Sequence, residues 1–280
     1  MKNNAYLKLS SSNPVLAYGI LGLLAIIFLL PLLWVILSSV DSNATVSLQA
    51  PRSLTLDHYK DVIGNKEQQR AFINGLLLSI GATLIVLVLA GFAAYPLSRY
   101  QFKTKRMYLF TILFATGLPL SAVMIPVYQI FVYFNLHNSL LWTSVFMAAT
   151  ALPVGIWMLK NFMDSIPYEL EEAAWMDGAS AFQTLTRIMV PLMLPGLFAV
   201  SITLFSGAWG NFLVPFLLLQ SPDKVPVSVT VFQFFGQYGM VEYGKLAAFS
   251  ILYTVPIVAL YAMGQRYMSQ GFSFGGAAKG

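Results

Sequence analysis

A short polar segment between two long apolar stretches carries the residue types best suited to binding a partner. It reads Glu172-Ala173-Ala174-Trp175-Met176-Asp177-Gly178 and is followed by Ile188-Met189-Val190-Pro191. Two alanines allow another surface to approach closely, and a tryptophan or methionine side chain can fill a pocket on that surface. The carboxylates can pair with basic residues at the rim of a groove. The segment therefore indicates recognition of another protein.

Residues for catalysis or metal binding are scarce and scattered. The chain has no cysteine, which excludes disulfides, thiol catalysis and cysteine-ligated metals. Its two histidines, His58 and His137, are far apart in the sequence. A membrane-embedded enzyme, such as a glycosyltransferase or an intramembrane protease, needs paired carboxylates or a histidine-bound metal at membrane depth. With no Gly-x4-Gly-Lys-Ser/Thr nucleotide loop either, the sequence predicts no catalytic residues, no metal and no cofactor in this chain.

The composition is that of a membrane protein. Of the 280 residues, 58% are hydrophobic and 10% are charged, whereas about 25% of the residues of a soluble domain are charged. A spanning helix needs roughly 20 apolar residues, and six runs are long enough, which predicts an all-α membrane protein with six transmembrane helices. The first run is too long for a cleaved signal peptide and lacks a small-residue cleavage site. The runs are Leu16–Ser39, Ile73–Ser98, Met107–Phe131, Leu141–Met163, Leu192–Gln220 and Leu246–Met268.

The basic residues predict the orientation, because lysine and arginine favour the cytoplasmic side. With six spans and a cytoplasmic N-terminus, ten basic and five acidic residues lie inside, and six of each sign lie outside. Both termini and the polar segment are then cytoplasmic, on the side where ATP is. We interpret the cluster Arg99–Arg106 as an anchor that fixes this topology. The inner basic residues are Lys2, Lys8, Arg99, Lys103, Lys105, Arg106, Lys160, Arg187, Arg266 and Lys279.

The start of a first helix is expected at Ser165-Ile166-Pro167. Proline is well tolerated at the first helical position, where its missing N–H costs nothing. Glu169, Glu171 and Glu172 then fall in the first turns, where the helix dipole favours negative charge.

A second helix is expected to follow a sharp turn. Asp177-Gly178 ends the first helix, because glycine takes the left-handed conformation at a C-cap without steric cost. Ser180-Ala181-Phe182-Gln183 has the pattern of a capping box, and Pro191 marks the entry into the fifth span. The resulting helix–turn–helix is expected to expose residues 173–176. An amphipathic loop on the lipid headgroups is the alternative, but five acidic residues with only Arg187 suit an anionic surface poorly.

The spacing of the polar segment is similar to a known pattern. Glu-Ala-Ala, three residues, Gly, nine residues and Ile-x-Val-Pro resembles the cytoplasmic coupling loop of ABC importer permeases, although Val190 stands where leucine is commoner. The likeness extends from about Leu54 to Gly280 and is closest to carbohydrate-type permeases, in particular the second permease of maltose-type systems. Two departures are Pro96, which can kink the end of the second span, and Gly210, where asparagine is frequent. The other matching segments are Leu54-Thr55-Leu56-Asp57-His58-Tyr59, Ala94-Tyr95-Pro96-Leu97-Ser98-Arg99 with Phe102-Lys103, Ile125-Pro126-Val127-Tyr128, Trp209-Gly210-Asn211-Phe212 with Pro215, and Gly264-Gln265-Arg266-Tyr267 with Gly271 and Gly275–Gly280.

This resemblance implies the type I ABC importer permease fold. Residues 1–72 would hold an N-terminal helix and an external segment, 73–268 the core transmembrane domain with the coupling loop at 164–191, and 269–280 a cytoplasmic tail. The implied assembly lies in the inner (cytoplasmic) membrane and contains a second, homologous permease subunit, two ABC ATPase subunits and an extracytoplasmic solute-binding protein. ATP and Mg²⁺ are bound by the ATPase subunits, so this chain is not an enzyme, and nucleic acid is not a partner.

Three groups of residues receive roles from the same resemblance. The coupling loop docks into a groove of an ATPase subunit, the tail reaches between the ATPase subunits, and the external loop Pro226–Gly244 probes the pocket of the binding protein. A disordered end is the alternative for the tail, and an element packed on its own helices is the alternative for the external loop. The residues are Glu172, Ala173, Ala174, Trp175, Met176, Asp177, Gly178, Ile188 and Pro191 in the coupling loop, Gly275, Gly276 and Lys279 in the tail, and Phe235, Gln237, Tyr238 and Gly239 in the external loop.

The predicted spans bear few charges, which limits the possible cargo. Lys160, near the cytoplasmic end of its helix, and Arg266, at the end of the last run, are the charged residues within them. Intramembrane ionisable residues mark proton relays and ion coupling, so their scarcity argues against a secondary transporter. It also disfavours glycerol phosphate, the alternative solute, and favours a neutral mono- or oligosaccharide. Candidate sugar contacts are Tyr128, Gln129, Trp209 and Asn211, for which interface anchoring or packing is the alternative.

Overall fold

The structure, a computed structural model, describes residues 14–51, 53–235 and 241–277. The described residues fall into two compact units, one within Met1–Val62 and Phe234–Leu252 and the other within Ile63–Gln233 and Tyr253–Gly280. Helices account for nearly all the regular structure of the described residues, and the β pairing among them is a single antiparallel bridge between Asp41 and Leu54.

Thirteen α-helices are present in the described part of the chain, together with a π turn at Leu185–Met189 and a 3₁₀ turn at Val231–Phe235. In chain order they are α1 Pro14–Ser39, α2 Asp57–Gly64, α3 Lys66–Arg99, α4 Lys105–Thr116, α5 Leu120–Tyr133, α6 Leu140–Asp164, α7 Glu169–Met176, α8 Ala181–Thr184, α9 Val190–Leu192, α10 Leu194–Trp209, α11 Leu213–Leu218, α12 Val227–Thr230 and α13 Tyr243–Ala277.

Four helices are long and apolar enough to cross a membrane on their own. They are Tyr18–Ser39 within α1, the whole of α3 and of α6, and Tyr243–Gln265 within α13. Two further helix pairs meet the same test together but are bent, so the count reaches six if each pair is one span. The prediction of an all-helical membrane protein with six apolar runs is confirmed for the described residues.

The third predicted run, Met107–Phe131, is not one continuous helix. Helix α4 ends at Thr116, α5 begins at Leu120, and the two are bent by 92°. Gly117 closes α4, with its N–H donating to the carbonyl of Phe114, and Pro119, directly before α5, has no N–H to continue the helix. Composition identified this run correctly, but not the break inside it.

The fifth predicted run, Leu192–Gln220, is divided as well. A bend of 80° precedes Leu194, and α10 ends at Trp209, so that residues 213–218 form the separate helix α11. Pro191 and Pro195 flank the bend and each lacks a backbone donor.

Helix α3 is the central element of the larger unit and packs against α6 and α10. It spans 34 residues, or about 51 Å at the rise of an α-helix. Asn65 caps its start by accepting from the N–H groups of Glu67 (2.8 Å) and Gln68 (3.3 Å), and the helix continues past Pro96 to Arg99. On α6, Gly155 allows close approach: a Cβ there would collide with Cγ1 of Val86 and lie 3.4 Å from Cβ of Ala90. Small residues are the usual device for close helix contact in membranes.

In the smaller unit, α2 is bonded to the end of α1. Nε2 of His58 lies 3.0 Å from the carbonyl oxygen of Asp41, and the Tyr59 hydroxyl donates to Oγ of Ser39 at 2.9 Å. On the exposed face of α2, the hydrogen bond from Lys60 lowers the pKa of the Asp57 carboxyl. These contacts fix the segment that was predicted to lie outside the membrane.

Candidate functional site: the polar segment between α6 and α10

Helix α7, hereafter the docking helix, forms within the polar segment and occupies Glu169–Met176. It begins two residues after Pro167, so the predicted start at Ser165-Ile166-Pro167 is slightly early. Its first turn contains Glu169, Glu171 and Glu172, as predicted, and this placement is favourable because the unpaired N–H groups there carry partial positive charge.

Gly178 ends the docking helix in the left-handed conformation, with a φ of +82°. Its N–H donates to the carbonyl of Trp175 at 3.0 Å, and the N–H of Ala179 donates to the carbonyl of Ala174 at 2.9 Å. These two bonds form a Schellman motif. The predicted termination at Asp177-Gly178 is confirmed, and the requirement for glycine is conformational, because a Cβ at this position would meet open space.

The second helix of the predicted helix–turn–helix is also present. Oγ of Ser180 accepts from the N–H of Gln183 at 3.3 Å, and Oε1 of Gln183 accepts from the N–H of Ser180 at 2.9 Å, which confirms the capping box. Helix α8 continues into the π turn, where Ile188 is half-buried, and Pro191 lies exposed in α9.

The exposed face of the docking helix is narrower than predicted. Met176 is 88% exposed, and Glu172, Ala173 and Asp177 are exposed with it. Two residues of the segment turn inward instead, which corrects the prediction that residues 173–176 are all exposed and that all the carboxylates are free to meet a partner. These residues are Ala174, at 7%, and Glu171, at 0%. Trp175 is half-buried, with its ring edge-to-face against Tyr168 at 5.7 Å.

Glu171 is buried against the C-terminal end of α3. One carboxylate oxygen accepts from Nε of Arg99, and the other accepts from the hydroxyl of Tyr95 at 2.9 Å. Arg99 is therefore a buried partner of the docking helix. Its side chain is only 5% exposed, while the role of the Arg99–Arg106 cluster in fixing the topology stays a prediction.

A second polar contact joins α3 and α6 at the same end. The Ser98 hydroxyl donates to Oδ1 of Asp164 at 2.6 Å, and Nζ of Lys160 lies 2.5 Å from Oδ2 of the same carboxylate. Lys160, a charged residue of the predicted spans, is thus paired within its own helix.

The four candidate sugar contacts are bonded to different partners. Trp209 is 1% exposed, and its indole N–H donates to the carbonyl of Tyr253 at 3.0 Å. The hydroxyl of Tyr128 accepts from Nε2 of Gln220 at 3.0 Å, whereas Gln129, on α5, is exposed. No sequence motif points to the two partner residues, Tyr253 and Gln220. Packing is the better account of Trp209 in this arrangement, because its ring and its donor are both engaged.

Asn211 stands between α10 and α11. Its side-chain oxygen accepts from the N–H of Val214 at 3.1 Å, and its carbonyl accepts from the hydroxyl of Ser228 at 2.9 Å. It therefore fixes the turn between the two helices, and any sugar contact by this residue stays a prediction.

The tail and the external loop are described in part. Gly275 and Gly276 lie in the last turn of α13, and Phe235 is the last residue of the 3₁₀ turn. Lys279, Gln237, Tyr238 and Gly239 lie outside the described residues. Among the residues that the structure describes, no group of three or more histidine or acidic side chains is placed to hold a metal ion.

An all-helical membrane chain with a capped docking helix between two spans has the architecture of a transport permease subunit. Residues 86–273 match the family described as "Binding-protein-dependent transport system inner membrane component". Because this match covers more than half of the chain, the chain belongs to that family and is an inner-membrane component.

Relatives and solved structures agree with this membership. The chain is 31% identical over 257 residues to the trehalose transport system permease protein SugB of Mycobacterium tuberculosis (strain CDC 1551 / Oshkosh), covering 90% of this chain and 93% of the relative. It is 32% identical over 273 residues to the trehalose/maltose transport system permease protein MalG of Thermococcus litoralis (strain ATCC 51850 / DSM 5473 / JCM 8560 / NS-C), covering 92% and 94%. The fold is similar to a chain in the crystal structure of a bacterial ABC transporter involved in alginate import, with a TM-score of 0.78, 21% identity and coverage of 91% and 95%. The fold is that of an ABC importer permease.

Proposed function

We propose that this chain is the permease subunit through which an ATP-driven importer takes up a neutral sugar or oligosaccharide. The observation that carries the proposal is the docking helix. It is a short helix closed by a left-handed glycine, with Met176 almost fully exposed and carboxylates of Glu172 and Asp177 beside it. A short, exposed helix of this kind can bind in a groove of another protein. Its backbone is already fixed, so it loses little conformational entropy on binding.

The proposed partners follow from the family and from this surface. An ATPase subunit receives the docking helix, and a pseudo-symmetric complex needs a second, homologous permease and two ATPase subunits. A solute-binding protein delivers the sugar from outside, in keeping with the family description. ATP and Mg²⁺ are bound by the ATPase subunits, while this chain contributes the passage and the mechanical connection. The glycines Gly275 and Gly276, with Lys279, are the proposed tail contacts.

The proposed cargo is supported by two observations. The relatives named above are described as permeases for trehalose and maltose, which are neutral disaccharides. Within the apolar runs Lys160 is paired with Asp164 and is not free to bind an anion. Apolar runs with so few cations suit hydroxyl-rich neutral molecules better than sugar phosphates.

The cargo is tested by ATP-driven uptake into proteoliposomes that contain the complete transporter and its binding protein. Trehalose and maltose are compared with glycerol 3-phosphate and trehalose 6-phosphate under the same conditions. We expect uptake of at least one neutral sugar and none of the phosphates. A preference for the phosphates would overturn the neutral-sugar assignment.

The docking role is tested by replacing Met176 with alanine. Truncation of a central apolar anchor costs about 2 kcal/mol of binding free energy, or roughly 30-fold in affinity, so M176A should weaken association with the ATPase subunit measurably. The matched control is M107A, which removes a 63% exposed methionine at the start of α4. Wild-type association of M176A, or an equal loss in M107A, would contradict the docking role.

A further inference from the structure

Arg99 and Glu171 form an ion pair that is almost completely enclosed by protein. Their side chains are 5% and 0% exposed, and they are 72 residues apart in the sequence. Arg99 is the last residue of α3, while Glu171 is in the first turn of the docking helix. The pair therefore joins the end of a long membrane-spanning helix directly to the element that faces the partner.

Glu171 is held by two residues one turn apart on α3. Arg99 donates through Nε to one carboxylate oxygen, and Tyr95 donates through its hydroxyl to the other at 2.9 Å. Residues at positions i and i+4 face the same side of a helix, so both donors approach from a single face of α3. A carboxylate fixed at both oxygens leaves the docking helix little freedom to rotate or slide.

Arg99 also contacts the segments on both sides of the docking helix. Its Nη2 donates to the carbonyl of Ile166 at 3.1 Å, and the same atom is 3.7 Å from the sulfur of Met189 in the π turn. Its guanidinium lies over the ring of Tyr168, 5.8 Å from the centroid. One side chain thus contacts residues before the docking helix, the docking helix itself and a residue after it.

A buried ion pair is weak evidence for stability, because desolvation of two charges offsets much of their attraction. What such a pair does supply is a defined geometry, since its hydrogen bonds are directional. By contrast, Lys103, a cation in the turn that follows α3, is exposed. The placement of one arginine in the interior therefore calls for a role that an exposed cation could not fill.

We propose that Arg99 and Glu171 are positioning residues that lock the docking helix onto the end of α3, so that a displacement of the docking helix moves α3 with it. The inference rests on the proposed function, because it assigns how ATPase motion enters this subunit. Helix α3 is continuous for 34 residues and packs against α6 and α10. A displacement of Glu171 therefore moves a helix of the core of the larger unit.

The test measures sugar transported per ATP hydrolysed in proteoliposomes that contain the complete transporter. Variants R99M and E171Q each remove one partner, and K103M is the matched control that removes a cation from the turn following α3. An unpaired buried charge can prevent folding, so the double variant R99M/E171M, which leaves no charge unpaired, is measured as well. Association of the ATPase subunits is recorded for every variant.

We expect the ratio of sugar to ATP to fall about tenfold, the scale of a typical coupling free energy, in R99M, E171Q and the double variant. The ATPase subunits should remain associated, because Met176 and Glu172 are untouched, and K103M should couple as the wild type does. The double variant should be no worse than the poorer single variant, since the two residues act as a unit.

Three outcomes overturn the proposal: a wild-type ratio in the assembled R99M/E171M complex, an equal loss in K103M, or a deficit confined to the amount of assembled complex. The last would assign the pair a purely structural role. A wild-type protein that neither associates with an ATPase nor transports sugar would instead overturn the proposed function. The two failures are therefore distinguishable.

Discussion

Trp209 and Tyr253 each donate a hydrogen bond to the backbone of the other. The indole N–H of Trp209 donates to the carbonyl of Tyr253 at 3.0 Å, and the Tyr253 hydroxyl donates to the carbonyl of Trp209 at 2.8 Å. The two rings stack with centroids 5.4 Å apart, and Phe205 also stacks with the indole, at 5.7 Å. This reciprocal pair fixes the end of α10 against α13.

Removal of either donor should therefore loosen the end of α10. Y253F deletes one hydrogen bond with little change of shape, and hydrogen bonds between membrane helices are worth about 0.6–2 kcal/mol. W209F deletes a donor and also volume, so its loss of stability should be larger. Thermal unfolding of the detergent-solubilised chain measures both. The control is Y261F on the same helix, which removes the hydroxyl of a 53% exposed ring; a Y261F effect as large as that of Y253F would refute this account.

The effect of replacing Gly178 should depend on how well the new residue adopts the left-handed backbone conformation, and not on the size of its side chain. The φ of +82° at this position costs an ordinary residue about 1–2 kcal/mol, so G178A should weaken both the docking helix and its association with the ATPase. Asparagine tolerates this conformation better than other residues, so G178N should retain much more association than G178A although its side chain is larger.

Binding of the ATPase subunit to the permease complex measures the Gly178 series. G64A is the control, because Gly64 has open space around a Cβ and no positive φ. If G178N were as poor as G178A, the cause would be steric exclusion by the partner and not backbone strain.

Any side chain at position 155 should disturb the packing of α6 against α3. Its Cβ would collide with Cγ1 of Val86, and overpacking of this kind costs about 1–3 kcal/mol. G155A should lower the unfolding temperature, and the double variant V86A/G155A should be more stable than the sum of the single effects predicts, because the colliding methyl group is gone. G91A, on α3 with open space around a Cβ, should leave the temperature unchanged. Strict additivity would show that the two residues do not share a contact.

Asn74 should be required to hold the loop between α11 and α12 near α3. Its Nδ2 donates to the carbonyl oxygens of Asp223 at 2.9 Å and Val225 at 3.3 Å, and the side chain is buried. N74L leaves two buried acceptors without their donor, which costs about 1–3 kcal/mol. N74D should be worse, because a carboxylate oxygen replaces the donor and faces two carbonyl oxygens.

The loss of stability in the Asn74 variants is measured by thermal unfolding and by the rate at which protease cleaves the loop between α11 and α12. Gln69 offers the control, because its amide also donates to a carbonyl, that of Ile63 at 2.6 Å, but it is exposed. Q69A should change the stability by less than about 0.5 kcal/mol. If N74L and Q69A lost similar amounts of stability, burial would not determine the cost of losing the hydrogen bond.

Local features of the docking helix could be predicted from sequence because they depend on neighbouring residues. Ser180 and Gln183 are three residues apart, and the hydrogen bonds of Gly178 and Ala179 reach back no more than five residues. Short-range hydrogen-bond geometry is fixed by residue type and spacing alone. For the same reason the six apolar runs were recognisable, since length and hydrophobicity suffice to define a candidate span.

Long-range placement was decided only by the tertiary structure. Whether a residue on a short helix faces solvent or protein depends on how that helix is rotated against its neighbours, and so Ala174 and Glu171 were wrongly expected to be available to a partner. The breaks within the third and fifth runs are not visible in the composition for a related reason: composition is unchanged by a break at Pro119 or after Trp209.

By itself, the sequence determined that this protein is a helical membrane permease with a capped polar segment between two spans. Only the tertiary structure decided that this segment is fastened to α3 through Arg99 and Glu171, which are 72 residues apart. The physical reason is that capping and hydrophobicity act over a few residues, whereas an enclosed ion pair exists only once the helices have packed and excluded water from both charges.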